Sequence, residues 1–272
     1  MSAAHAVDIL TVDATAPVAA SDFVAVEEPL ELRLGTVPFA TIMRTPGEDV
    51  ELAAGFLLAE RLITSRADIA SIHHAIGDNG DTEPNALDVW LAGDAALRAA
   101  IGLRTRRHVA AASACGICGR RTIADLLTDI PPIQSARVVP SATISLLPGR
   151  LRAAQRTFDC TGGLHAAGLF RSDGTLGGFA EDVGRHNAVD KVIGREVLHS
   201  RLPLSEVILF VSGRSSFEIV QKAAVAGVPI IASVSAPSSL AISLARDANI
   251  TLCGFVRNGH FNVYTCAGRI EV

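Results

Sequence analysis

Two cysteines near the middle of the chain are the residues best suited to covalent chemistry. Cys115 and Cys118 are separated by two residues, and the basic pair Arg120 and Arg121 follows at the start of a short predicted helix. The N-terminal end of a helix and neighbouring guanidinium groups lower the pKa of a thiol, which favours the nucleophilic thiolate. The pattern predicts reactive sulfur chemistry, and a pair of zinc ligands or two inert small residues are the alternatives.

Zinc sites and nucleobase deaminases require residues that do not accompany this pair. A structural zinc site commonly combines two such pairs, whereas Cys160, Cys253 and Cys266 are single and far apart. Zinc deaminases carry H-x-E and P-C-x-x-C, but no histidine here has a glutamate two residues later, and Ala114 stands where the proline would be. We therefore expect no zinc. A thioredoxin-like role stays open, although that dithiol normally follows the first strands of a small βαβ domain.

Turns that open helices supply candidate binding residues for an anion. The turns 213–216 and 236–239 each follow a predicted buried strand, so their backbone N–H groups would face one crevice at the carboxyl ends of the strands. A glycine pair precedes a histidine at 162–165, and the run 181–187 is almost entirely polar. Helix capping, a sharp turn and mutual salt bridging are the alternative explanations. The candidate binding residues are Arg214, Ser215, Ser238, His165 and Arg185.

The charge distribution also favours a local anionic ligand. The 272 residues carry a formal net charge of −4 at pH 7, which argues against binding nucleic acid over the whole surface. Arginines are concentrated in two stretches without acidic residues, 95–122 and 130–158. No apolar run reaches the roughly 18 residues of a membrane span. The first basic residue is Arg33, unlike a secretory signal, and five cysteines do not suggest a disulfide framework. We expect a soluble, cytoplasmic protein that binds neither nucleic acid nor a membrane.

The elements that must position these residues begin with a small N-terminal domain. Residues 1–22 lack helical or strand periodicity, and we expect a mobile tail. Residues 23–105 have the pattern of an α+β domain, with two strands joined near Gly35. Thr45 is expected to cap the following helix, and Glu48 is expected to complete a capping box.

Residues 106–272 are predicted to form a second domain that begins with the cysteine pair. Asn258 and Gly259 are the strongest short hairpin signal and lead into a final strand. Strands that alternate with helices of this length imply a parallel sheet with helices packed on it, closed by an antiparallel edge. The predicted strands are 207–211, 228–234 and 250–256, and the helices between them are 215–226 and 238–248.

Motifs distributed along most of the chain resemble one protein family. From Arg44 onwards, the sequence is similar to the FdhD family of formate dehydrogenase accessory sulfurtransferases. Any one motif is weakly specific, whereas all of them in order are highly specific. The matching segments are Arg44–Ile63, Ser113–Gly119, Phe158–Phe170, Glu181–Gly194, Val211–Gly227 and Phe255–Thr265.

The resemblance implies a function in the maturation of a metal cofactor. Members carry sulfur from a cysteine desulfurase to the cofactor of formate dehydrogenase, so the expected partners are the desulfurase and the catalytic subunit of that dehydrogenase. Cys115 would hold the sulfur as a persulfide, and Cys118 would assist in relay or release. The cofactor, molybdenum (or tungsten) bis(molybdopterin guanine dinucleotide), would be cargo, and GDP-like nucleotides could imitate it.

The resemblance also implies an architecture. Members are homodimers, and their C-terminal domain is similar to cytidine deaminase, which implies a three-layer αβα arrangement around a mixed sheet, without the deaminase zinc. The other three cysteines match no part of the family pattern. The strand-end segment that contacts the cofactor in the family corresponds here to Phe255, Val256, Arg257, Asn258, Gly259 and His260.

The residues themselves are compatible with this function. A sulfur carrier needs an accessible, low-pKa thiol that can attack a persulfide and later release its own terminal sulfur. Arginines and helix N-termini suit the pyrophosphates of the cofactor. Two other functions stay open: a binding module that holds the cofactor and moves no sulfur, and a structural zinc protein in which Cys115 and Cys118 are ligands.

Overall fold

The computed structural model describes residues 3–13, 16–106 and 130–272. Cys115, Cys118 and the short helix predicted after them lie outside these ranges. The described chain has a mixed α/β structure, as predicted, with several sheets. No helix within the described ranges is both long enough and apolar enough to cross a membrane.

The chain begins with a β-hairpin where the sequence predicts an irregular tail. β1 (Ala4–Val12) and β2 (Pro17–Ala25) pair antiparallel along their whole length. Sequence periodicity misses these strands because apolar residues do not alternate strictly with polar ones, and both faces of the hairpin carry apolar side chains. Almost every side chain of the hairpin is exposed.

A four-stranded sheet and two helices follow. The first two strands are joined at Gly35, as predicted, and the sheet has the order β4-β3-β6-β5. Helix α1 (Asp49–Ala59) packs against this sheet, and α2 (Gly93–Arg106) follows its last strand. The strands are β3 (Glu28–Leu34), β4 (Val37–Arg44), β5 (Ile69–Ile76) and β6 (Thr82–Leu91).

Helix α1 begins later than the sequence predicts, and Thr45 does not cap it. The residue before the helix is Glu48, which has a left-handed backbone (φ 56°), and no side chain from the described residues caps this end. Thr45 is buried, its Oγ1 accepts from Val183 N–H (3.2 Å), and its carbonyl oxygen accepts from Lys191 Nζ (2.9 Å). The capping box predicted from Glu48 is also wrong, because its carboxylate pairs with Arg195.

Most of the remaining elements form a larger sheet with helices on both faces, and two short strands, 139–140 and 270–271, pair with each other in a separate two-stranded sheet. The strand order of the larger sheet is β13-β12-β11-β10-β8-β9. The parallel strands β10, β11 and β12 and the antiparallel edge strand β13 confirm the prediction, whereas the prediction omits the antiparallel β8 and β9. In chain order the elements are β7 (Val139–Pro140), α3 (Ser141–Ala154), α4 (Arg156–Thr161), β8 (His165–Phe170), β9 (Leu176–Asp182), α5 (Arg185–Leu198), β10 (Ile208–Val211), α6 (Phe217–Val225), β11 (Ile230–Ser233), α7 (Ser239–Asp247), β12 (Thr251–Arg257), β13 (His260–Thr265) and β14 (Ile270–Glu271).

Two apolar cores lie on opposite faces of this sheet. Helices α5, α6 and α7 cover one face, and that core continues through α1 into the N-terminal sheet. Helix α3 covers the other face. The similarity to cytidine deaminase and the domain boundaries at residues 23–105 and 106–272 stay predictions.

Helices α1 and α5 cross with their backbones in contact. A Cβ atom added at Gly55 in α1 would overlap the carbonyl oxygen of Asp190, and one added at Gly194 in α5 would overlap that of Glu51. Only glycine fits at both positions, because each faces backbone rather than a movable side chain.

Both lysines of the chain are buried in ion pairs near this crossing. Lys191 Nζ lies 2.8 Å from Asp182 Oδ2, and Lys222 Nζ lies 2.7 Å from each carboxylate oxygen of Asp190. Lys191 is 1% exposed and Lys222 is 6% exposed. Because Lys191 also donates to the carbonyl oxygen of Thr45, it ties α5 to the chain segment that precedes α1.

Candidate functional site

One edge of the six-stranded sheet collects the predicted ligand-binding residues. Strands β10, β11 and β12 are parallel and end at this edge, and β8 begins there because it runs antiparallel to β10, with Ala167 opposite Val211. His165 at the start of β8 lies opposite Asp182 at the end of β9. We name this the ligand edge, because open α/β sheets bind ligands outside the carboxyl ends of their parallel strands.

The turns after β10 and β11 contact each other at the ligand edge. Ser238 N–H donates to the carbonyl oxygen of Ser215 (3.1 Å), and Ser215 forms an isolated β-bridge with Pro237. Ser238 Oγ accepts from Ala241 N–H (3.2 Å), which is ordinary capping of α7. Ser215 is fully buried, and its hydroxyl has no hydrogen-bond partner among the described residues. Arg214 beside it is exposed.

The start of helix α6 lacks a side-chain cap within the described part of the chain. Ser216 Oγ instead lies 3.1 Å from His186 Nε2, and the same nitrogen lies 2.7 Å from Glu218 Oε2. Uncapped N–H groups at a helix N-terminus attract anions. Sequence reasoning missed His186 and Glu218 as neighbours of the site. For His186, its position in the polar run is a sequence signal that could have placed it near the site. Glu218 has no such signal, because acidic residues are common in the first turn of any helix.

His165 and Arg185 lie together beside Gly213. A Cβ added at Gly213 would be 3.4 Å from His165 Nδ1 and 3.8 Å from Arg185 Cδ. Burial lowers the pKa of His165, and electrostatic interactions with Arg185 and His186 lower it further, against the opposing effect of Asp182. The imidazole is therefore neutral at pH 7 and can both donate and accept a hydrogen bond. Arg185 Nε is buried and has no partner in the described ranges.

The other residues of the polar run 181–187 have structural partners. The carboxylate of Glu181 accepts from two backbone N–H groups at the start of α4, at 3.1 and 2.9 Å. Asp182 is fully buried and forms the ion pair with the lysine of α5. Salt bridging, one of the two explanations considered for this run, therefore accounts for part of it. Arg185 and His186 are the members beside the ligand edge.

A cavity of about 550 Å³ lies beside His165, on the α3 side of the sheet. The guanidinium of Arg152 lies 4.7 Å from the centre of the Phe158 ring and 2.5 Å from Asp159 Oδ1. The volume is within the usual range of small-molecule sites. An aromatic ring, a guanidinium and a neutral imidazole together suit a flat polar group such as a nucleobase. The wall is formed by Pro148, Leu151, Arg152, Gln155, Phe158, Gly162, Gly163, Leu164, His165, Phe210, Ser212 and Val234.

The hairpin between β12 and β13 reaches the same edge. Phe255 N–H donates to the carbonyl oxygen of Ser235 (3.2 Å), which joins the hairpin to the turn after β11. Phe255 has a left-handed backbone (φ 54°), and the guanidinium of Arg257 lies 5.5 Å from its ring centre. The side chain of Val256 is buried in the core. The exposed residues of the segment are Arg257, Asn258, Gly259 and His260.

The described cysteines are dispersed over the fold. Cys160 is exposed on α4, Cys266 is partly buried, and burial raises the pKa of Cys253 to about 12, so its thiol is inert. Among the residues that the structure describes, no three His, Cys, Asp or Glu side chains form a group that could hold a metal ion. The roles of Cys115 and Cys118 stay predictions.

Comparisons with known proteins agree on one family. The model of the FdhD/NarQ family matches residues 25–271. A protein from Mycolicibacterium paratuberculosis named sulfur carrier protein FdhD is 47% identical over 260 residues, which cover 93% of each chain. A protein of the same name from Streptomyces coelicolor is 46% identical over 260 residues, which cover 92% of this chain and 90% of the relative. A crystal structure from Desulfotalea psychrophila, described as a formate dehydrogenase accessory protein, is similar with a TM-score of 0.77 at 25% identity, covering 99% of this chain and 100% of that one.

Proposed function

Because the chain belongs to the FdhD/NarQ family, we propose that it is a sulfur carrier in the maturation of formate dehydrogenase. It accepts sulfur on Cys115 and delivers it to the bis-guanine-dinucleotide cofactor, which it holds as cargo. The observation that supports cofactor binding is the composition of the ligand edge. Two helix-opening turns touch there, and Ser215 Oγ and Arg185 Nε are buried without partners among the described residues. His165, which lies near Gly213 together with Arg185, also lines the 550 Å³ cavity.

Sulfur uptake on Cys115 requires no external oxidant. The Cys115 thiolate attacks the terminal sulfur of the persulfide on a cysteine desulfurase, so a new S–S bond forms as the old one breaks. The desulfurase cysteine leaves as a thiolate, and Cys115 becomes the persulfide. Cys118 assists in relay or release. This transfer makes the protein a sulfurtransferase.

The ligand edge provides groups of the kind that the cargo needs. The phosphates of the cofactor fit the N-terminal ends of α6 and α7, and Arg214 and Arg185 supply positive charge. The buried hydroxyl of Ser215 gains a hydrogen-bond partner when an anion binds, which offsets the cost of burying it alone. His165 is neutral and can bond either to a phosphate or to a base. The hairpin residues 255–260 complete the contacts, and GDP-like nucleotides imitate the cargo.

The remaining expectations of the family complete the proposal. The partners are a cysteine desulfurase, the catalytic subunit of formate dehydrogenase and a second copy of the chain in a homodimer. The protein works in the cytoplasm, with neither nucleic acid nor a membrane as partner. Its larger sheet with helices on both faces is the part of the fold that we compare with cytidine deaminase, without the zinc of that enzyme.

The first experiment measures the intact mass after incubation with an active cysteine desulfurase and L-cysteine, followed by peptide mapping. We expect one sulfur atom on the peptide that contains Cys115, removed by reduction and lost in Cys115→Ala. Cys160→Ala is the matched control, because Cys160 is an exposed thiol on α4, and it should gain sulfur normally. If wild-type protein gains none, the carrier function is wrong.

A cofactor chaperone that moves no sulfur is the second candidate, because the described groups at the ligand edge bind rather than react. GDP titrations and complementation of a strain lacking the native protein separate the two candidates. The chaperone predicts that Cys115→Ala both binds GDP and restores formate dehydrogenase activity. The sulfur carrier predicts that this variant binds GDP and restores no activity.

A further inference from the structure

The N-terminal hairpin has the properties of a protein contact surface. Leu10 is 62% exposed, Val12 70%, Val18 59% and Phe23 52%. Single exposed apolar side chains are ordinary on a soluble protein. These side chains are neighbours on one two-stranded ribbon, and such a grouping marks an interaction site.

Both faces of the hairpin are apolar. On one face Leu10 lies opposite Ala19, and on the other Thr11 lies opposite Val18, since side chains alternate across a strand. An isolated two-stranded ribbon is only marginally stable in water. The hairpin therefore needs cover on both faces.

The rest of the same chain covers only the base of the hairpin. Ala4, Val7 and Ala25 are its least exposed residues, and the base packs on α4 near Gly163. The other side chains of both strands are exposed to solvent. The outer part of the hairpin, the described residues 8–13 and 16–22, is thus available to another molecule.

The charge of the hairpin indicates which kind of surface it can bind. Residues 1–32 contain no lysine or arginine, and the hairpin itself carries Asp8, Asp13 and Asp22. A complementary surface is therefore basic. Helices α3 and α4 present such a surface, since their exposed arginines, Arg150, Arg152 and Arg156, outnumber their one acidic residue, Asp159, which pairs with Arg152.

We infer that the outer part of the hairpin packs on the α3–α4 surface of a second copy of the chain. The outer part has about five residues in each strand, so it is about 17 Å long and about 10 Å wide. Both faces of two exchanged ribbons present roughly 700 Å², and covering them buries a similar area of the second copies, so the total reaches the roughly 1,200 Å² of a stable dimer interface. The inference rests on the proposed homodimer and specifies its interface.

A pair of leucine variants tests the hairpin. Leu10→Glu places a charge on the ribbon, and Leu97→Glu is the matched control on α2, where Leu97 is 63% exposed. In sedimentation velocity over a concentration series, we expect a wild-type dimer and a dissociation constant at least ~30-fold higher for Leu10→Glu. Leu97→Glu should match the wild type, and circular dichroism verifies that both variants fold. If Leu10→Glu dimerises as tightly as Leu97→Glu, the hairpin inference is wrong although the homodimer stands, whereas a monomeric wild type overturns the homodimer itself.

A photo-crosslinking residue at position 12 identifies the surface that the hairpin meets. With p-benzoylphenylalanine in place of Val12, we expect covalent dimers whose cross-linked peptide lies within residues 141–161 of the second copy. Cross-links to another region of the copy contradict the charge argument. Cross-links in cell extract to a different protein in place of a second copy overturn the inference.

Discussion

Replacing Gly194 with alanine tests whether the close crossing of α1 and α5 holds the two sheets together. In an exposed helix, alanine is about 1 kcal/mol more favourable than glycine. At Gly194 the added methyl group would overlap the carbonyl oxygen of Glu51, a backbone atom that cannot rotate away. The helices must therefore separate, and overpacking of this kind costs about 1–3 kcal/mol. Because the crossing is lined by the core shared by both sheets, we expect a loss at the upper end of that range.

The assay is equilibrium urea denaturation followed by circular dichroism. Gly149→Ala in α3 is the control, because no atom of the described residues lies within 4 Å of the Cβ that it would add. The control should raise the free energy of unfolding by up to about 1 kcal/mol, since it relieves the entropic cost of glycine. Both substitutions replace glycine with alanine in a helix, yet they should change the free energy of unfolding in opposite directions. If Gly194→Ala is as stable as the wild type, the helices do not touch as described.

Other variants test the buried charges and the ligand edge. Lys191→Met leaves the carboxylate of Asp182 buried without its counter-charge and should cost about 3–5 kcal/mol in urea denaturation, part of which Asp182→Asn should restore in the double variant. The pKa of His165 is lowered in the folded state, so its contribution to stability is present above about pH 6.5 and is lost as pH falls through the folded pKa. In His165→Gln, the urea concentration at the midpoint of unfolding should therefore decrease less on acidification than in the wild type. Ser215→Ala should not lower stability, because its hydroxyl has no partner among the described residues, but should weaken GDP binding at least ~5-fold by calorimetry. Ser238→Ala should cost about 1 kcal/mol of stability through loss of the cap on α7.

The parts of the fold that the sequence predicts well are those with strong local signals. The strands β10 to β12 are short apolar runs, the helices between them follow serine-containing turns, and Asn258 and Gly259 fix the last hairpin. The chain order of these elements then places the turns of Ser215 and Ser238 at one edge, because parallel strands end together. Local pattern and sheet topology are sufficient to find this part of the candidate site.

The features that the sequence does not predict depend on contacts between distant segments. Thr45 has the sequence of a helix cap, but its polar groups bond to Val183 and Lys191, more than a hundred residues away. The sequence of the run 181–187 is consistent both with a binding site and with mutual salt bridges. In the structure, Glu181 and Asp182 have structural partners, whereas Arg185 and His186 lie beside the ligand edge. Cavity residues such as Arg152 and Phe158 come together through the packing of α3 against α4, and a contact between two helices leaves no periodic pattern in the sequence.

The burial of Lys191 and Lys222 has a consequence for how the protein can be modified. Both ammonium groups are held in ion pairs inside the fold, so acetyltransferases, ubiquitin ligases and amine-coupling reagents meet no accessible lysine on the native molecule. An acyl group on either lysine would remove a charge that the buried carboxylate needs and would strongly destabilise the folded state. Acylated lysine in this protein would therefore mark chains that were modified before folding or after unfolding, and its abundance would measure that population in the cell.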